Sequence, residues 1–206
     1  MENKVLDIII SLLEGFKEEK EYKQHQLTST SSNGRKYCIY NADYLLNQIL
    51  RNLYLPDDHY LLSKGAKELW DKLLPIGKNG GDIQKYWYRE KLVVKCKTPV
   101  KVNEFKGASN KGIERTLEYG NSFLFRDIFH LEHMIPIEVI IKQLEKLVDE
   151  NNLTYDSVSE VLDKIYICRI TKEEDRNIDP KYKSDRSFDL QEVKQLVYSE
   201  AKIEII

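Results

Sequence analysis

Residues 125–136 read FRDIFHLEHMIP, and the fold turns on how this stretch is parsed. It is short, apolar and aromatic, which predicts a strand at the core of 125–135, closed by Pro136. Glu132 stands directly before His133, and Met134 and Ile135 separate the pair from the proline. Downstream, Ile137–Val148 has apolar residues at helical spacing with Pro136 at its first turn. A short helix is expected over 155–163, and residues 164–170 form a compact apolar strand. Thr171-Lys172-Glu173-Glu174 then has the form of a capping box, with Thr171 capping and Glu174 reaching back. The helix it opens carries Glu173, Glu174 and Asp175 in its first turn and must stop before Pro180. Strand, strand and helix can therefore bring an acid–histidine pair and a helix carboxylate into one place.

Upstream, residues 2–23 read as an amphipathic helix, with Val5, Ile8, Ile9, Leu12, Leu13 and Phe16 at three- and four-residue spacing. Residues 27–35 (LTSTSSNGR) are small and polar and read as a loop. Helices are expected over 41–53 and 61–74, ended by Pro56 and Pro75, and 76–82 (IGKNGGD) is a break. From 83 the pattern turns to two-residue alternation with β-branched residues, which predicts strands with turns at Thr98-Pro99 and 106–112. Residues 113–124 fit helix and strand equally. A last helix is expected over 189–200.

The chain has 206 residues, 41% hydrophobic and 32% charged, with a net charge of −2. That composition suits a globular protein able to bury a core. Charge is uneven: residues 85–126 hold ten basic residues against four acidic ones. This stripe, with Tyr86, Trp87 and Tyr88, suits a phosphate backbone and an exposed base. Strand lysines guarding a sheet edge would look the same. Cys38, Cys96 and Cys168 are far apart and odd in number, without a CxxC pair, so neither a zinc ribbon nor a disulfide framework is expected. A reducing cytoplasm is the simplest home. No secretory signal and no apolar run of membrane-spanning length is read, and the phosphate-loop pattern GxxxxGK[ST] is absent.

Glu132-His133-Met134-Ile135-Pro136 resembles the acid-His-apolar-apolar-Pro signature of the HNH (ββα-metal) nucleases, and Ile165–Arg176 (IYICRITKEEDR) is similar to the second strand and helix of that fold. The resemblance covers about 125–180. It implies an α+β chain in which a ββα-metal core carries an inserted helical segment. A mainly helical region (1–82) and a basic, DNA-contacting segment (83–124) precede that core, and a C-terminal helix (181–206) follows it. It implies that Glu132 is a ligand of a divalent ion, Mg²⁺ or Mn²⁺, and that His133 is the general base. Asp175, in the place where the pattern T-K-E-E-N has its Asn, would be the helix ligand. Asp179, Asn177 and Glu174 are alternatives, and His130, two residues before Glu132 on the same strand face, is a further ligand, a supporting residue or a packed histidine. Two departures stand out: a carboxylate replaces the Asn, and 42 residues separate His133 from Asp175, which makes the helices of 137–148 and 155–163 an insertion.

These residue types suit phosphodiester hydrolysis. A neutral imidazole can take a proton at pH 7, and an ion on two carboxylates offsets developing negative charge. Arg126 and Arg176 are candidates for holding phosphate, as are Lys95, Lys97, Lys101, Lys106 and Lys111 of the basic stripe. The expected function is a metal-dependent, restriction-type endonuclease on double-stranded DNA, acting as a homodimer because cutting two strands with one site per chain favours two-fold symmetry. The competing readings are a non-catalytic nucleic-acid-binding protein and a helical interaction protein whose charges are simply solvated.

Overall fold

The computed structural model describes residues 2–22, 28–30, 36–38, 42–52, 59–86, 89–106, 111–183 and 186–206. In chain order the elements are α1 (Glu2–Tyr22), β1 (Thr28–Thr30), β2 (Lys36–Cys38), α2 (Ala42–Asn52), β3 (Tyr60–Leu62), α3 (Lys64–Leu73), β4 (Lys91–Val93), β5 (Val100–Glu104), β6 (Ile113–Leu117) and β7 (Ser122–Leu124). There follow α4 (Phe125–Ile128), β8 (Phe129–His133), α5 (Ile137–Asp149), α6 (Tyr155–Leu162), β9 (Ile167–Thr171), α7 (Lys172–Asn177) and α8 (Leu190–Val193), the last continuing as π-helical turns over Lys194–Tyr198. The class is α+β. No helix among the described residues is long and apolar enough to cross a membrane.

The chain divides into two compact units, each discontinuous in sequence. One comprises residues 1–57 and 135–165. Its helices α1, α2, α5 and α6 pack on one another through Ile9, Leu13, Leu46, Leu50, Ile140, Leu144, Val158 and Leu162, all fully buried. Thr154 caps α6 reciprocally with Ser157, and Arg51 on α2 pairs with Glu138 on α5 at 2.8 Å. The helices expected between the two strands thus belong to the same unit as the N-terminal helices. Residues 27 and 31–35 of the expected loop lie outside the described residues; Thr28–Thr30 pair instead as a strand with Lys36–Cys38.

The other unit comprises residues 58–134 and 166–206. Its central sheet has the order β3-β9-β8, with β9 parallel to β3 and antiparallel to β8. Every residue of β9 is buried, as expected of the middle strand. Two antiparallel pairs, β5 with β6 and, enclosing them in the chain, β4 with β7, account for the basic segment. An aromatic cluster of Trp70, Tyr86, Phe123, Phe125 and Phe129 packs beside the sheet, ring centroids 5.2–6.4 Å apart. Tyr86 is therefore core; Trp87 and Tyr88 lie outside the described residues.

Two expectations are corrected. The helix expected over 61–74 begins only at Lys64, because Ser63 caps it, its hydroxyl accepting from Ala66 N at 3.0 Å. Tyr60–Leu62 instead form a strand paired with β9, a contact more than a hundred residues away that local pattern does not encode. The segment 125–135 opens with one helical turn, Phe125–Ile128, before β8. Residues 113–124, which fitted either state, resolve into β6 and β7 around Gly120, whose φ of +83° suits a glycine in the turn.

Candidate metal centre

In β8 alternate side chains face opposite sides of the sheet. His130 and Glu132 share one side, opposite Ile170 and Cys168 of β9; Leu131 and His133 take the other, opposite Arg169 and Ile167. The chain leaves β9 directly into α7, because Thr171 is both the last strand residue and the helix cap. Its hydroxyl accepts from Glu174 N at 3.0 Å, and its own N–H donates to Glu174 Oε2 at 2.7 Å. This reciprocal cap, legible in the sequence, fixes the turn that presents α7 to β8. Thr171→Ala should cost about 1 kcal/mol of stability, read as a lower urea midpoint with unchanged slope.

Asp175 on α7 then reaches the His130–Glu132 face. His130 Nε2 lies 3.1 Å from Glu132 Oε2 and 3.8 Å from Asp175 Oδ1. One ligand atom from each of the three residues falls within 4.8 Å of the others. Glu132 is buried, while His130 and Asp175 are each about a fifth exposed, so the group is reached from one side. Burial alone would raise the Glu132 pKa, but the hydrogen bond from His130 and the Arg186 guanidinium outweigh it and lower it to about 2. Glu132 is thus an anion at any ordinary pH. An imidazole nitrogen with two carboxylates fits a divalent ion, and the nitrogen favours Mn²⁺ over Mg²⁺.

Two residues that no local pattern singles out complete the group. Arg186 Nη2 pairs with Glu132 Oε1, Nη1 bonds the carbonyls of His133 (3.1 Å) and Met134 (2.9 Å), and Nε bonds the carbonyl of Tyr182 at 2.5 Å. Lys183 pairs with Asp175 Oδ1 and donates to the Asp175 carbonyl at 2.8 Å. Both come from the polar stretch after the helix, where basic residues carry no pattern; only the tertiary fold returns them to β8 and α7. Arg169, at the centre of β9 and fully buried, was likewise missed. It lies on the His133 side of the sheet, bonded to the Gln84 side chain and carbonyl at 2.6 and 2.5 Å; burial lowers its pKa to about 10.

The other expected site residues scatter. His133 is not part of the group: it alternates to the far side of β8, and its Nε2 is buried. Glu174 is turned to capping and also accepts from Ser63 Oγ at 2.7 Å. Asp179 lies beyond α7, which ends at Asn177, and caps the next 3₁₀ turn, its Oδ1 accepting from Lys181 N at 2.9 Å. Asn177 lines a separate cavity of about 420 Å³ with Lys101, Asn103 and Glu173. Arg176 stacks over Phe105, 4.0 Å from the ring centroid.

Among the lysines, Lys95 sits over the Tyr119 ring at 5.1 Å, Lys101 pairs with Glu114 at 3.2 Å, and Lys97 and Lys111 are exposed. Lys106 and Arg126 line a cavity of about 480 Å³ with Lys91 and Arg115. Its floor holds buried Glu104, paired with Arg115 at 2.7 Å and Lys106 at 3.1 Å, and buried Asp127. The Asp127 carboxyl is raised in pKa by burial and by the Glu104 charge. Four cations over two acids leave this cavity net positive. Compared with protein-family models, with curated proteins and with solved structures, the chain matches none.

Proposed function

We propose that the chain is a divalent-metal-dependent endonuclease of the HNH (ββα-metal) type that hydrolyses DNA phosphodiester bonds. β8, β9 and α7 are the ββα core of this reading, and the helical segment 135–165 is its insertion. The single observation that carries it is the meeting of His130, Glu132 and Asp175 on one face, within reach of solvent. A bound divalent ion would supply Lewis-acid stabilisation of the charge that builds on the phosphate oxygens.

The chain's own residues do the rest. Glu132 and Asp175 offer hard oxygen donors. His130 directs Nε2 at both carboxylates and supplies the nitrogen donor of the group; His133, to which the resemblance gives the base role, takes the opposite side of β8. Arg186 holds Glu132 and the strand end in one geometry, so the carboxylate spends no rotamer freedom on binding. The cationic cavity of Lys91, Lys106, Arg115 and Arg126 suits the backbone of a duplex. A two-fold dimer acting at a specific sequence, in the manner of a restriction enzyme, remains the assembly this reading favours.

Incubating supercoiled plasmid with the purified chain and Mn²⁺ should give nicked and linear products, and EDTA should abolish them. Duplex binding without metal should persist and fall steeply between 50 and 200 mM salt, by roughly tenfold or more. Cleavage surviving in EDTA would remove the metal from the mechanism. Binding without cleavage under any divalent ion would instead favour a non-catalytic DNA-binding protein. That second reading draws on the pairing of both carboxylates with Arg186 and Lys183, which makes the group self-sufficient as a structural network.

A further inference from the structure

Glu132 and Asp175 each carry a basic partner, and the two partners are built differently. Arg186 is sealed in, its side chain 0% exposed and its nitrogens spread over one carboxylate and three backbone carbonyls. Removing that guanidinium would strand four acceptors, so it is part of the fold. Lys183 is 40% exposed, and both its contacts go to one residue, the carboxylate and the carbonyl of Asp175. Its ammonium can swing into water and leave only Asp175 behind. The oxygen it holds, Asp175 Oδ1, is the one that faces His130 Nε2. A compact, strongly hydrated ammonium on a flexible stem is the side chain best able to stand in for a metal cation and then give way to it.

We propose that Lys183 is an internal competitor of the divalent ion for Asp175. This rests on the metal reading above and adds to it a residue that sets the ion's affinity. Without the ion, Lys183 neutralises the carboxylate and holds α7 against the chain that follows it. An ion entering the group must displace the ammonium, so the measured affinity is weaker than the donor set alone would give. Once displaced, the ammonium stays tethered eight residues from Asp175 on the accessible side, where an anionic phosphate oxygen would meet it. Arg186 takes no part in the exchange, because Glu132 keeps Oε2 for the ion while Oε1 stays bound.

The test is Mn²⁺ binding to the full-length chain, read by the loss of the free-ion electron paramagnetic resonance signal, with no nucleic acid present. Lys183→Met keeps the stem and removes the charge; Lys183→Gln is a second charge-free variant, and Lys183→Arg keeps the charge. Both charge-free variants should bind Mn²⁺ roughly three- to tenfold more tightly than the parent, the scale of a half-exposed ion pair plus relief of cation–cation repulsion. Lys183→Arg should stay close to the parent. Parent-like or weaker affinity in both charge-free variants, with the parent still binding, overturns the competition and leaves the metal reading standing. Mn²⁺ binding by neither the parent nor the charge-free variants overturns both.

Discussion

Arg186→Met is expected to lose roughly 3–5 kcal/mol of folding stability. The residue is sealed, and its guanidinium bonds Glu132 and the carbonyls of Tyr182, His133 and Met134. The cost comes less from the lost attraction than from what stays behind: a buried carboxylate with only His130 to answer it. The double variant Glu132→Gln with Arg186→Met should therefore be more stable than Arg186→Met alone. Urea unfolding followed by tryptophan fluorescence measures all three, and a double variant no better than the single one would refute the coupling.

The same pair fixes a pH dependence. The Glu132 pKa is lowered in the folded state from 4.5 to about 2. A depressed carboxylate contributes stability that is fully present above its unfolded value and is lost as pH falls toward the folded one. For Glu132 the window runs from about pH 4.5 down to about 2, and the contribution is about 3 kcal/mol. In Arg186→Met the His130 hydrogen bond remains but the guanidinium is gone, so burial raises the Glu132 pKa against weaker opposition. The deficit of that variant against the parent should accordingly shrink between pH 7 and pH 3.

The second large effect is on activity, and it separates two histidines three residues apart. His130→Ala should weaken Mn²⁺ binding and reduce Mn²⁺-dependent plasmid cleavage by roughly 100-fold, through loss of the nitrogen donor. Asp175→Ala should abolish cleavage together with Mn²⁺ binding. His133→Ala should retain cleavage within about an order of magnitude, because strand alternation turns that ring to the side of β8 away from both carboxylates. The reverse pattern, an inactive His133→Ala and an active His130→Ala in folded protein, would return the essential histidine to the residue that the motif names and refute the assignment drawn from the fold.

The capping box at Thr171, the two strands around it, the helix from Ile137 and the amphipathic first helix were all legible, because each is written in residues close together in the chain. Glu132 was legible as well, and Asp175 was named as its partner beside Asp179, Asn177 and Glu174; the fold brings Asp175 to it. The third member came out differently. His130 and His133 look alike in a string of letters, and only the β8–β9 register decides which faces Asp175.

Local pattern placed the main helices, the capped turn at Thr171 and the basic centre of the chain, and it narrowed the helix acid facing Glu132 to a few neighbours of Asp175. The tertiary structure alone decided that Tyr60–Leu62 pair with β9, that residues 135–165 join the N-terminal helices, and that Lys183 and Arg186 fold back onto the two carboxylates. The reason is one of range. Propensity, capping and alternation act over a few residues, whereas ion pairs and strand pairing join segments whose separation along the chain leaves no periodic trace.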